Sequence, residues 1–269
     1  MGADDARLGT LMTAARGAAR KSAIAAAFGA AAERYEAHAE VQRHAAEALA
    51  GGIAALGLPD AANLLEIGCG TGLLSRALAA SLPDARGLIT DLSAPMVAAC
   101  RAAMAPGRFV YAAMDGEAPA VGEAGLDLIC ASLAWQWFED PAAAVHRLRP
   151  LLRSGGWLAL ATLGPASLGE WRLAHEAEGL AAGAPVFADP AAMVAGWRGE
   201  VRLERSHLRI AHASGRAFLA GLRGIGATTP RAGHRPLAAA ALGRVLARFE
   251  HDHAARVSYE IVLVYLRAA

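Results

Sequence analysis

Lysine is almost missing from this chain. Lys21 is the one lysine, so 25 of the 26 basic residues are arginine. With abundant alanine and glycine, this reads as the imprint of a GC-rich genome, and it removes most of the weight an arginine cluster would otherwise carry as a signal. Cysteine is also scarce. Cys69, Cys100 and Cys130 show neither the paired spacing of a disulfide framework nor that of a metal site. Net charge is close to absent, at +1 over 269 residues, which argues against a dedicated nucleic-acid binder. There is no secretory h-region and no apolar run of ~18 residues, so the expectation is a cytoplasmic protein without membrane attachment. His251 and His253 form an H-x-H, but no cysteine or third histidine stands near them, so a solvated helix end is expected there and no metal.

What is present is ample apolar material. A hydrophobic content of 55% supports one sizeable core, and the length suits one α/β domain. Strand patterns stand at Asn63–Ile67, Gly87–Thr90, Arg108–Tyr111, Gly125–Ala131 and Trp157–Thr162. Helical patterns fall between them, at about Leu73–Ser81, Pro95–Met104 and Pro141–Leu152. The alternation predicts parallel βαβ units. Arg153-Ser154-Gly155-Gly156 reads as the turn before the fifth strand. Residues 1–20 read as a flexible tail in which Met12 offers an alternative start, and residues 21–269 as a single domain. Its first part, 21–56, is helical with breaks near Gly29 and Gly51–Gly52. Beyond Thr162, helices are expected near Ser167–Ala182, Pro190–Trp197, Ser214–Leu222 and Leu237–Phe249, with strands at Val201–Ala211 and Ser258–Leu266.

The most informative stretch is LLEIGCGTG, Leu64 to Gly72. A short apolar strand containing an acid, Glu66, runs into three alternate glycines, Gly68, Gly70 and Gly72, and a helical pattern begins at Leu73. Such glycines let the backbone turn sharply and let a ligand approach without meeting a Cβ. The helix N-terminus behind them offers free N–H groups. The dinucleotide fingerprint G-x-G-x-x-G is not met, because Leu73 stands where its third glycine belongs. Asp91 ends the next strand, 23 residues after Gly68, at the spacing where an acid reaches ribose hydroxyls. Ser93 and Pro95 then open a helix. Asp115-Gly116, after the third strand, is by itself an ordinary turn.

The form E-x-G-x-G-x-G resembles the S-adenosylmethionine loop of class I methyltransferases. The resemblance implies an α/β, Rossmann-like fold: a seven-stranded, mostly parallel sheet with helices on both faces and an antiparallel last strand. It implies S-adenosylmethionine as methyl donor, released as S-adenosylhomocysteine, and no metal. Cofactor contacts are implied for Glu66, Gly68, Cys69, Gly70, Gly72 and Asp91, and for Leu92, Met96, Met114, Asp115, Ser132 and Leu133. Among these, Asp91 would hold the ribose, Asp115 would accept from the adenine amino group and Met114 would pack on the ring. Met114–Asp115 and Leu73 together weigh against a nicotinamide-dependent oxidoreductase.

Three further stretches narrow the resemblance. They are KSAIAAAFGAAAERYEAHAEVQ (Lys21–Gln42), SLAWQW (Ser132–Trp137) and GLRGIGATTPRAG (Gly221–Gly233). They are similar to the malonyl-[acyl-carrier protein] O-methyltransferases of biotin synthesis, with weaker likeness in ATLGPASLGE and the final YEIVLVYL. The likeness covers about Lys21 to Arg267. It divides the domain into a helical lid (21–56), a cofactor-binding core (63–163) and a substrate side with the terminal strand pair (164–269). Ser132 is a departure, since many relatives carry Asn there. Serine keeps a donor and an acceptor but is shorter.

The implied chemistry is methyl transfer to the free carboxylate of a malonyl thioester. A carboxyl group with a pKa of ~3–4 is already ionised at neutral pH, so no general base is expected. Rate would come from in-line positioning, which supplies up to roughly 7–11 kcal/mol. The substrate-side candidates are Tyr35, Gln136, Trp137 and Arg223, the last as partner of the carboxylate or of the pantetheine phosphate. The implied partner is an acidic acyl-carrier protein bearing malonyl-phosphopantetheine. Arg147, Arg149 and Arg153, or Arg198, Arg202 and Arg205, are candidates for a basic rim that steers it. A methyltransferase for another small acid or a quinone-type acceptor shares the same cofactor loop and stays open as the alternative.

Overall fold

Five parallel strands whose sequences are apolar almost end to end form the centre of the molecule, as strands covered on both faces must. A computed structural model describes residues 17–122, 125–231 and 233–269. Within them β1 (Asn63–Ile67), β2 (Arg86–Asp91), β3 (Phe109–Ala113), β4 (Leu126–Ser132) and β5 (Leu152–Leu163) run parallel. The sheet is completed by β6 (Val201–Ala211) and β7 (Arg256–Arg267) in the order β3-β2-β1-β4-β5-β7-β6. β7 enters antiparallel between β5 and β6. It is buried along nearly its whole length, whereas β6 is an edge strand with an exposed, arginine-bearing face that discourages further pairing.

Helices cover both faces. One cluster joins α2 (Glu40–Ala54), α3 (Leu73–Ser81), α6 (Gly169–Glu176), α8 (Gly215–Gly224) and α9 (Ala239–His253) to the sheet through Leu49, Ile53, Leu78, Trp171, Phe218 and Phe249. The opposite cluster packs α5 (Pro141–Leu148) and α7 (Pro190–Met193) through Val145, Leu148 and Met193. α4 (Ala94–Ala102) begins after Ser93 with proline in its first turn. Strand order reverses between β1 and β4, which opens a crevice at their carboxyl ends, the place where such sheets bind ligands.

Three local expectations are corrected. Residues 17–29 are helical (α1), so the helix starts inside the stretch expected to be a tail; residues 1–16, with Met12, lie outside the described residues. Gly51 and Gly52 do not break α2, which runs through both. Gly52 is needed for packing instead, because a Cβ there would come 1.7 Å from Tyr265 Oη. Arg153–Gly156 is not a turn before the strand but a bulge inside β5. The β4–β5 register jumps from Leu126↔Leu152 to Leu128↔Trp157, and Gly155 has φ +75°.

Candidate functional site

The site is built on the loop after β1. Gly68, Gly70 and Gly72 have φ of 71°, 54° and 92°, the left-handed region that only glycine enters without strain. A Cβ on Gly68 would lie 2.3 Å from that of Ala134, so the loop and the turn after β4 can approach only because Gly68 has none. Over Gly70 the space is open up to Tyr35 Oη, 3.9 Å from where a Cβ would sit.

Asp91, at the end of β2, ties this loop to the sheet. Its Oδ2 accepts from the Gly70 N–H at 2.9 Å and its Oδ1 from the Ser93 N–H at 2.8 Å. Burial raises its pKa, and the N–H groups of Ser93, Gly70 and Leu92 pull it back down. With three N–H groups on it, the carboxylate keeps only part of its acceptor capacity, and it lines the crevice. Beneath the loop, Glu66 is buried and accepts from Ser75 Oγ at 2.7 Å. Burial pushes its pKa up to about 8, so it is protonated at neutral pH.

α1 closes the crevice from above. Lys21, Ile24 and Phe28 line it, facing Asp91, Leu92, Met114 and Asp115. Lys21 Nζ sits 2.7 Å from Asp115 Oδ2 and 2.5 Å from Glu117 Oε2. Arg20 donates to the carbonyl of Trp137 at 3.1 Å, and the Phe28 ring meets Trp137 edge-on at 5.3 Å. At the other end of the lid, the short helix Tyr35–His38 is clasped to the glycine loop. Glu36 Oε1 accepts from Thr71 Oγ1 at 2.9 Å and from Arg76 at 2.8 Å.

A second cavity, of about 530 Å³, adjoins the first; Phe28, Tyr35, Leu133 and Trp137 line both. Its walls are mostly apolar, from Leu163, Trp171, Phe187, Leu219 and Leu222, with Gln42, Gln136, His175, His212 and Arg223 among the polar groups. A smaller recess lies between Gln42, Tyr35, Glu66, Cys69, Gly70 and Ser132. Tyr35 borders all three spaces. Burial and the nearby Asp91 and Glu36 charges hold its phenol protonated far above neutral pH, so it is a permanent hydrogen-bond donor.

The sequence-derived residues are placed as follows. Gly68, Gly70, Asp91, Leu92, Met114, Asp115, Ser132 and Leu133 line the first cavity, while Glu66 and Cys69 border the recess. Gly72 and Met96 line none of these spaces. Gly72 begins α3 and packs toward Cys100, and Met96 is fully buried under the lid with Tyr35 and Ile225. Gln136 lies in the second cavity; its Nε2 donates to the carbonyl of Leu133, which has φ 49°, at 2.7 Å, while its Oε1 is buried without a partner. Arg223 lies on the second cavity and is exposed. The proposed basic rims are largely consumed. Arg147 pairs with Glu117, Arg153 with Asp127, Arg202 with Glu204, and Arg205 with Asp189 and Glu260, while Arg149 stacks on Trp197. Among the described residues no cluster could hold a metal ion, and no helix is long and apolar enough to cross a membrane.

Sequence reasoning missed Lys21 as the partner of Asp115, Glu36 as the clasp and Gln42 between the second cavity and the recess. Only Lys21 left a trace, as the lone lysine at the head of the Lys21–Gln42 stretch.

The crevice suits S-adenosylmethionine. Glycines admit its backbone-close approach, Asp91 retains acceptor capacity for a hydroxyl, and Met114, Leu92 and Phe28 give apolar walls for a base. Residues 65–158 match the family model described as "Methyltransferase domain". The chain is 51% identical over 239 residues to the biotin biosynthesis bifunctional protein BioCD of Bordetella avium, covering 88% of this chain and 50% of that protein. It thus spans about half the length of that relative. It is 40% identical over 233 residues to the malonyl-[acyl-carrier protein] O-methyltransferase of Magnetococcus marinus, covering 85% of this chain and 86% of the relative. The fold is shared with the YcgJ protein of Bacillus subtilis at a TM-score of 0.58 and 14% identity, over 82% of this chain and 97% of the other.

Proposed function

This chain belongs to the malonyl-[acyl-carrier protein] O-methyltransferase family, and from that premise we propose that it esterifies the free carboxylate of a malonyl group carried as a thioester on an acyl-carrier protein. The observation that carries the reading is the pair of adjoining cavities that meet at Tyr35, one under the glycine loop and one wide and mostly apolar. When bound, S-adenosylmethionine supplies a methyl carbon on a cationic sulfur; the carboxylate oxygen bonds to that carbon as the carbon–sulfur bond breaks, and no proton moves.

The chain's own residues therefore bind and align. Gly68 and Gly70 bring the backbone against the donor, and Asp91 fixes the ribose. Asp115 is available to the adenine end only together with Lys21, whose charge it already neutralises. Lys21 and Phe28 on the lid close against Asp115 and Trp137 and keep water away from the reacting atoms. The second cavity is large enough for an extended arm, and Arg223, exposed on it, suits a phosphate at its outer end better than a carboxylate at its inner one. No residue in the seam acts as a base, because the acceptor is ionised well below neutral pH.

A methyl-transfer assay with malonyl-carrier protein, malonyl-coenzyme A and free malonate tests the reading. Methyl ester formation on a malonyl thioester is the expected result. Turnover on none of the three, with a small acid or a quinone-type compound accepted instead, would overturn it.

A further inference from the structure

Gln42 lies on the first turn of α2 and borders both the second cavity and the recess beside the glycine loop. It is thus at the seam where the acceptor must meet the donor. Its Oε1 is buried and has no hydrogen-bond partner. The protein leaves this amide uncommitted, and a carboxylate, which has no proton to offer Oε1, can be met only by its N–H₂ end. With Oε1 turned into the protein, the N–H₂ end is the one left to meet the cavity. Tyr35 borders the same two spaces and offers a second neutral donor.

The cations nearby are committed or exposed. Lys21 is tied to Asp115 and Glu117, Arg76 to Glu36, and Arg223 is exposed. This matters for rate. As a carboxylate attacks a cationic sulfonium, both charges fade toward the transition state. A lysine or arginine on the carboxylate would stabilise the ground state more than the transition state and slow the step, whereas neutral N–H and O–H donors orient the oxygen at less cost.

We infer that Gln42, together with Tyr35, holds the acceptor carboxylate through neutral hydrogen bonds, and that this amide sets the preference for a malonyl over an acetyl thioester. The inference rests on the malonyl reading above. The test is calorimetry of malonyl-coenzyme A and acetyl-coenzyme A on protein preloaded with S-adenosylhomocysteine, for the wild type, Gln42→Leu and Gln42→Glu. The wild type should favour malonyl by roughly 10- to 100-fold. Gln42→Leu should lose most of that preference with S-adenosylhomocysteine affinity unchanged. Gln42→Glu, nearly the same shape, should disfavour malonyl outright by charge repulsion, which separates the effect from a packing defect.

Retention of the full malonyl preference in both variants overturns the inference and leaves the function standing. So does a variant that loses S-adenosylhomocysteine but keeps 5′-methylthioadenosine, which lacks the amino-acid part, since Gln42 would then serve the cofactor. A wild type that binds both thioesters equally sinks the malonyl reading itself, and this inference with it.

Discussion

Glu66 has the clearest pH signature of any single residue here. Its folded-state pKa, about 8, lies above the ordinary carboxyl value because burial disfavours the charge. The native state therefore holds this proton more tightly than the unfolded chain does. The resulting stabilisation is complete below about pH 4 and is lost as pH rises toward the folded value. Glu66→Gln removes the titration while keeping the acceptor for Ser75 Oγ. Unfolding in denaturant should show the variant close to wild type at pH 5 and more stable by on the order of a few kcal/mol at pH 9. Equal slopes of stability against pH in the two proteins would exclude a buried neutral Glu66. Gly70 is a second decisive position. Its φ of 54° and the open space beneath Tyr35 mean that Gly70→Val strains one loop and obstructs the crevice without striking the core. The expected outcome is a folded domain with no calorimetric binding of S-adenosylmethionine. Arg223→Ala should raise KM for carrier-protein and coenzyme A thioesters about tenfold or more, as loss of a charge-assisted bond does. It should leave cofactor affinity and the malonyl-over-acetyl preference alone, because Arg223 is exposed and the seam is lined by Tyr35 and Gln42.

At the scale of elements, the lid is the part most open to perturbation. α1 and the Tyr35–His38 turn are held by few ties: Arg20 and Phe28 to Trp137, Lys21 to Asp115 and Glu117, Glu36 to Thr71 and Arg76, and the close seat of the segment after α8. That last contact explains Gly226 of LRGIGA. A Cβ on Gly226 would lie 2.8 Å from both the Ala27 carbonyl and Phe28 Cα, and Gly226 has φ +77°. Gly226→Ala must displace backbone or abandon the conformation, at roughly 1–3 kcal/mol. Hydrogen exchange should show faster opening of residues 17–38, with the sheet unaffected and cofactor release accelerated. Unchanged protection of the lid would mean that it is anchored elsewhere.

For the molecule as a whole, the sheet and the lid divide the labour. The sheet holds Glu66, Asp91 and Ser132 at the carboxyl ends of adjacent strands, and the lid brings Lys21, Phe28, Tyr35 and Gln42 down upon them. No group in this assembly must lose or gain a proton for methyl transfer. Tyr35 stays protonated, His175 and His212 are kept neutral by burial, and the acceptor is ionised in advance. With saturating cofactor, kcat should therefore show no rise between about pH 6 and 9, and a fall near pH 8 would report the Glu66 titration. A rise through a pKa near 7 would require a general base and so a hydroxyl-type acceptor.

The strands, the glycine loop and the acid ending β2 were legible in the sequence because each depends on neighbours a few residues away. An apolar run between turn residues makes a strand, and left-handed φ values call for glycine. β1 and β6 fall on the limits read from the sequence. It is the fold that sets Asp91, read from the sequence as a strand-ending acid, beside Gly70. Tertiary structure decided what local pattern cannot encode. Gly51 and Gly52 look like a helix break, yet α2 continues because Tyr265, over 200 residues away, fills the space where a side chain would be. Arginines that could rim a cleft are spent on distant acids such as Asp127 and Glu260. Lys21 finds Asp115 across 94 residues, and Gln42 arrives in the seam with an unpaired amide. Such pairings are set by which surfaces the sheet brings together, and no spacing along the chain carries that information.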